Sequence, residues 1–445
     1  MPVRLKDLPD ERANQLLVHP LHQDVFRSLV QLIHDLRQCD TYPEYRDFQE
    51  GLLNQLLEID SLRGQCTRVR KRLLAGKPLP ADAPELRSGA DPTDVESWEL
   101  EVAVCERGGR QLRSIGDALA WRLFNYDRRA IVALSRNNQP GLLSGKEGLA
   151  AERDFVAQHT RDDNAFVLLH DITSSLRIGD ATLFQRAGDG WEASLYEIKS
   201  DPNRRRTPQL RRKRLAEEAV RNNGRLPGAR GTRLVSVGLP YKTHLDLLRR
   251  AFELAADRGV QGIKVPGGRA VMAAELRPSS ERWSEQEFAE RAGRAYQQAR
   301  RRAGIYTSEH HVHYMSDDMA ARTPITPPWA IYPLPPLVCA NLIADMAVFV
   351  VDISSEALVA ALEDVGLHAN WSIPPGQKEL QQGQVVLRAT NQVRGIELRP
   401  SEMQRLLLEL MDLPLWAESV RRLLARDDLV PHPWPYFDDE WRVWA

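Results

Sequence analysis

The sequence predicts an α/β protein with a helical N-terminal region, and three observations carry that expectation. Apolar residues recur at three- and four-residue spacing through the first 140 positions. The next stretch alternates helix, three strands, helix and strand, and a further strand and helix pattern closes the chain. A length of 445 residues suggests two or three domains, and 42% hydrophobic content is ample for buried cores.

The helical region comes first. Val25, Leu29, Leu32, Ile33 and Leu36 mark one face of an amphipathic helix. Pro43 suits the first turn of a second helix, along which Phe48, Leu52, Leu56, Ile59, Leu62, Val69 and Leu73 keep a near-heptad stripe up to Gly76. That stripe is either the seam of a bundle within one subunit or a dimerising coiled coil. Pro78, Pro80, Pro84 and Pro92 make residues 76–92 an extended loop. Leu100, Val104, Leu112, Ile115, Leu119 and Ile131 then resume the helical pattern, with a bend expected at Gly108-Gly109. Residues 1–140 therefore read as a scaffold or sensing region without a catalytic grouping.

The chemistry concentrates in residues 178–199. Two alternating β-rich runs flank the turn Ala187-Gly188-Asp189-Gly190 and make a hairpin. Period-two geometry sets Glu197 and Lys199 on one face of the second strand, and Asp180 begins the first. Two carboxylates and an ammonium at one end of a hairpin form a candidate Mg²⁺ site, because this hard ion takes one or two carboxylates plus water and substrate phosphate. Lys199 would orient the attacking water or neutralise charge developing on a phosphodiester. Taken alone, Glu-x-Lys is equally a solvated strand face. Before the hairpin, residues 165–170 read as a buried strand, and His170 and Asp171 stand where they would line a cleft; a hydrogen-bonded strand-end histidine is the plain alternative. The segment Gly141-Leu142-Leu143-Ser144-Gly145-Lys146-Glu147 fails as a Walker loop. It has three residues between the glycines, and Glu147 where Ser or Thr would hold Mg²⁺.

Several separate points resemble the PD-(D/E)xK nuclease superfamily. Gly179-Asp180 is similar to the first half of its motif, with Gly where many members carry proline, and Glu197-Ile198-Lys199 to the second half. Gly148-Leu149-Ala150-Ala151-Glu152-Arg153 resembles the first core helix of Holliday-junction resolvases, which implies Glu152 as a further acid at the metal site; Glu147 is the alternative helical acid. A helix at residues 209–221 stands where the family packs its second core helix, with Gln209 near a recurrent glutamine. The resemblance covers residues 141–275 and implies a restriction-endonuclease-like mixed sheet. It also implies a site of Asp180, Glu197, Glu152 and the Ile198 carbonyl around Mg²⁺, for which Mn²⁺ would substitute, with Lys199 beside it.

Charge supports a DNA partner locally rather than globally. The formal net charge is −1, yet Arg204, Arg205, Arg206, Arg211, Arg212, Lys213 and Arg214 crowd one segment without an acid. Such a cluster after the metal strand, with Gln209 among it, would hold phosphates without reading sequence. A solvated helix face is the competing reading.

Residues 141–278 are thus expected to form the nuclease-like domain, and residues 279–445 a second α/β region of unknown role. In the latter, Glu309-His310-His311-Val312-His313 reads as a surface loop, since no cysteine or ligand spacing supports zinc. Trp434, Tyr436, Phe437, Trp441 and Trp444 form an aromatic tail that either packs on its own domain or docks a partner. A protein partner or a second copy would be met through this tail or the N-terminal helices, and the oligomeric state stays open. Four scattered cysteines and the lack of a signal-type or membrane-spanning run point to the cytoplasm. The expected function is a Mg²⁺-dependent DNA endonuclease, in restriction or antiviral defence. The alternatives are a repair or recombination nuclease and a catalytically silent nucleic-acid-binding or assembly subunit.

Overall fold

The computed structural model describes residues 10–135, 143–146, 148–161, 163–187, 190–198, 207–221, 239, 242–276, 283–306, 311–316, 326–372, 386–398 and 403–425. The chain forms two compact units. The first is Met1–Val220 with Gly224–Arg233 and Pro327–Ile331, and the second comprises Arg221–Asn223, Leu234–Thr326 and Tyr332–Ala445.

The first unit opens with helices α1 (Asp10–Val18), α2 (Pro20–Gln38), α3 (Tyr42–Leu74), α4 (Val95–Leu123) and α5 (Arg128–Leu134). Local chemistry starts α3: Thr41 and Glu44 form a reciprocal capping box and Pro43 sits in the first turn. Its stripe of Phe48, Leu52, Leu56, Ile59 and Val69 is buried within the unit, the bundle-seam alternative. Helix α4 runs unbroken through Gly108-Gly109. A Cβ at Gly108 would lie 3.1 Å from Val25 and 3.3 Å from Ile59, so this glycine allows α2 and α3 to pack close rather than breaking the helix.

Helix α6 (Leu149–His159) leads into β1 (Ala165–Leu169), β2 (Ala181–Ala187) and β3 (Gly190–Tyr196), followed by α7 (Thr207–Arg221). The three strands form an antiparallel sheet in the order β1-β2-β3, with Ala181 opposite Tyr196 and Ala187 opposite Gly190. The hairpin has the expected register. All strand pairings among the described residues are antiparallel, whereas a mixed sheet was expected; the further strand placed at residues 233–238 lies outside the described residues. Gln49 of α3 ties the sheet to the bundle, donating to the Val167 carbonyl (2.9 Å) and accepting from the Leu169 N–H (3.0 Å).

The second unit is built on a sheet of order β4-β5-β7-β6: β4 (Val260–Val265), β5 (Arg269–Glu275), β6 (His311–Met315) and β7 (Ala347–Ser354). Helix α9 (Glu285–Ala303) packs Phe288 and Tyr296 on Val260, Met272, Val348 and Val350. Helix α8 (Leu245–Arg258) sets Phe252 edge-on to Phe349, which points to the other face by alternation. Helices α10 (Pro336–Ile343), α11 (Ser355–Asp364), α12 (Gln404–Leu408) and α13 (Leu413–Ala425) and the antiparallel sheet of β8 (His368–Ser372), β9 (Val386–Thr390) and β10 (Gly395–Leu398) complete it.

Strand β5 pairs with β7, Arg269 opposite Ile353 and Glu275 opposite Ala347, so residues expected to close a domain at 278 belong to the same unit as the C-terminal region. Likewise the proposed boundary at 140 falls inside the first unit. The histidine segment is a strand from His311 rather than a surface loop, with His313 opposite Asp352. The aromatic tail lies outside the described residues. Among the described residues no helix is long and apolar enough to cross a membrane.

Gly116 of α4 gives the first test. A Cβ there would sit 2.1 Å from the Ile172 carbonyl oxygen, in the turn between β1 and β2. Alanine normally gains about 1 kcal/mol over glycine in a helix interior, but a backbone clash this deep outweighs it. Gly116→Ala should lower unfolding free energy by roughly 2 kcal/mol or more in urea titration; equal or higher stability would contradict the close approach.

Candidate functional site

The end of the hairpin brings Asp180 together with Glu197-Ile198. Gly179 has φ 80°, which proline, fixed near −65°, cannot adopt. This is the physical reason for glycine before Asp180. The Asp180 N–H then donates to the Tyr196 carbonyl (2.8 Å), and its side-chain Oδ2 accepts from the Ile198 N–H at 2.7 Å. Asp180 and Glu197-Ile198 therefore share one end of the hairpin, as expected. Glu197 lies one residue beyond β3 rather than on it. Lys199, Glu147, Arg204, Arg205 and Arg206 lie outside the described residues, as does the side chain of Gln209.

Glu152 enters from α6. It stands in the first helical turn, where the exposed N–H groups favour an acid, and it is the one fully buried residue of that helix, 2% exposed. Its Oε1 receives the Lys146 ammonium, which also contacts Asp171 Oδ2. Its Oε2 has no hydrogen-bond partner among the described residues. Burial, with repulsion from Asp171 and Asp180, pushes the Glu152 carboxyl up to about 7 despite the ammonium. Lys146 is shifted upward: burial opposes its charge, but Asp171 and then Glu152 prevail. The two shifts are compatible because one ammonium serves two acids and favours Asp171, which leaves Glu152 under-compensated.

The surrounding contacts fix this cluster. Asp60 of α3 accepts from Arg113 (2.8 Å) and from the Leu143 N–H (3.0 Å), three residues before Lys146. Arg113 also reaches the Asp171 carbonyl at 3.4 Å. Asp117 accepts from the Ser174 and Ser175 N–H groups and the Ser175 hydroxyl, which holds the turn after Asp171 against α4. His170 is 2% exposed. Its Nδ1 must donate to the Gly179 carbonyl (3.1 Å), so neutral Nε2 accepts from the Thr182 hydroxyl (2.8 Å). This is the plain structural reading of His170.

On the outer side of β3, Tyr196 packs on Phe155 with centroids 4.9 Å apart, and Lys213 of α7 sits 5.3 Å from the Tyr196 ring centre. Arg211, Arg212 and Arg214 are exposed on α7. The helix thus carries a basic face beside the hairpin.

Sequence reasoning set Asp171 at the cleft but did not identify Lys146, Asp60 and Arg113 as parts of this cluster. Lys146 belonged to a segment set aside as a failed phosphate loop, and only folding brings it to Asp171. Among the described residues, no three His, Cys, Asp or Glu side chains are drawn together as a ready-made metal cage. A magnesium site does not require one, since water and substrate complete its shell. The buried, unpartnered Glu152 Oε2 and the carboxylates at the hairpin end fit a hard divalent ion.

Neutral burial of His170 has a pH signature. Desolvation pulls its pKa from 6.5 down to about 4. The unfolded chain takes up a proton that the native state refuses, so stability is lost as pH falls from 6.5 towards 4, by about 3 kcal/mol in total. His170→Asn, which keeps a donor for the Gly179 carbonyl, should show a shallower loss over that window in denaturant titrations. Parallel curves for the two proteins would contradict a buried neutral imidazole. No protein-family model, curated protein or solved structure matches the chain.

Proposed function

We propose that this protein is a metal-dependent nuclease that hydrolyses DNA phosphodiester bonds. One observation carries the reading: Asp180 Oδ2 accepts from the Ile198 N–H at 2.7 Å, which sets Asp180 beside Glu197-Ile198 at one hairpin end. Buried Glu152, with an unpartnered oxygen, supports it from a separate element. Asp180, Glu197, the Glu152 Oε2 and the Ile198 carbonyl would hold Mg²⁺ or Mn²⁺. The ion, when bound, lowers the pKa of water and offsets charge on the phosphoryl oxygens. Lys199 positions the water or neutralises charge developing on phosphorus. The α7 face of Arg211, Arg212, Lys213 and Arg214 would grip the DNA backbone without sequence preference, with Arg204, Arg205, Arg206 and Gln209 preceding or joining it. A role in restriction or antiviral defence within the cytoplasm follows from the family resemblance, which equally accommodates repair or recombination.

A second reading draws on a different observation. Lys146 already neutralises part of the acid cluster, as in a nucleic-acid-binding or assembly subunit that keeps the fold without catalysis.

The deciding experiment incubates the purified chain with plasmid, linear duplex and single-stranded DNA in Mg²⁺ or Mn²⁺. Cleavage is expected, abolished by Asp180→Ala and by Glu197→Ala with circular dichroism unchanged. DNA binding without cleavage under every condition would favour the silent subunit. Lys199→Met should lower turnover roughly 10²-fold with metal affinity nearly intact; a large loss of affinity would instead make Lys199 a structural partner of the acids.

The basic face has its own test. Replacing Arg211 and Arg212 by alanine should weaken binding to unrelated duplexes alike and flatten its salt dependence by about one unit of slope per lost phosphate contact. An unchanged slope would assign those arginines to solvent.

A further inference from the structure

We propose that Lys146 is a resident second cation: its ammonium fills the position between Glu152 and Asp171 that a second metal ion takes in two-ion sites, so this site binds a single divalent ion. The inference rests on the metal-dependent reading and specifies the stoichiometry of that site.

The geometry of Glu152 carries it. One carboxylate oxygen is taken by the Lys146 ammonium, and the other is buried without a hydrogen-bond partner among the described residues. A carboxylate that gives one oxygen to each of two cations holds them on the order of 4 Å apart, the separation of two-ion hydrolytic sites. Lys146 occupies one of those positions and leaves the other, Oε2, for an ion shared with the hairpin acids. Asp171, the second partner of the ammonium, is what a two-ion site would use as an outer ligand.

The bridge is built rather than incidental. The Glu152 side chain is 3% exposed, Lys146 31% and Asp171 33%. Both sides of it are tethered to one buried carboxylate. Asp60 holds the Leu143 N–H in the segment that carries Lys146, and it holds Arg113, which reaches the Asp171 carbonyl. An ammonium held this way contributes charge but offers no coordination position. Removing it takes from Glu152 and Asp171 the one ammonium they share, and a divalent ion is a replacement of the same sign.

Mn²⁺ binding to the full chain, followed by calorimetry and electron paramagnetic resonance, tests this. The wild type should bind one ion with an isolated-ion spectrum. Lys146→Met should bind two, with the spectral broadening of a close pair, whereas Lys146→Arg should keep one. Should Lys146→Met not fold without metal, Lys146→Gln supplies an uncharged polar substitute, and folding rescued by Mn²⁺ supports the replacement directly. Two ions in the wild type, or one ion in a folded, metal-saturated Lys146→Met, would overturn the resident-cation role while leaving a metal site standing. No Mn²⁺ bound by the wild type would overturn the metal-dependent reading and this inference with it.

Discussion

Asp60 is the group on which the candidate site depends. Its carboxylate lies buried between two long helices, 1% exposed, and such a charge persists only if fully compensated. Arg113 supplies the charge and the Leu143 N–H a further hydrogen bond, so the cost of burial is offset by groups that also lead to Lys146 and Asp171. Removing Asp60 would strand Arg113 and release both sides of the cluster. The helical region is therefore more than an attached scaffold, since α3 and α4 position the acids beside the hairpin. Gly116 and Asp117 of α4 extend the same arrangement, one by admitting the Ile172 backbone and the other by capping the Ser174-Ser175 turn.

Glu152 of α6 and Asp171 of the turn after β1 share the Lys146 ammonium, and Asp180 at the hairpin end lies near enough to help raise the Glu152 carboxyl. Repulsion and desolvation raise the Glu152 carboxyl, and its second oxygen is left without a partner among the described residues. The basic residues of α7 lie exposed beside the hairpin, with Lys213 over the Tyr196 ring.

Much of this was legible because it is local. Alternation and the Gly188-Asp189 turn specify the hairpin, and its register then carries Asp180 to Tyr196 and the residues beyond. Thr41, Pro43 and Glu44 announce the start of α3 for the same reason. What could not be read depends on partners distant in sequence. Gly108 lies against Val25 and Ile59, so its place in the helix is set by tertiary contact. His311–Met315 becomes a strand through pairing with Val350 to Ser354, and β5 finds β7 more than seventy residues later, so no local composition marks the true division of the chain. Lys146 reads as an ordinary loop lysine until the turn after β1 brings Asp171 to it.

The central claim is that an acid from α6 and acids from the hairpin serve one ion. A double-mutant cycle on Mn²⁺ affinity, with Glu152→Gln, Asp180→Asn and the pair measured by calorimetry, tests it most directly. Ligands of a shared ion are not independent, so the double variant should lose clearly less affinity than the sum of the single losses, with a coupling on the order of 1 kcal/mol or more. Additive losses, or a Glu152→Gln protein that binds Mn²⁺ as the wild type does, would contradict the account.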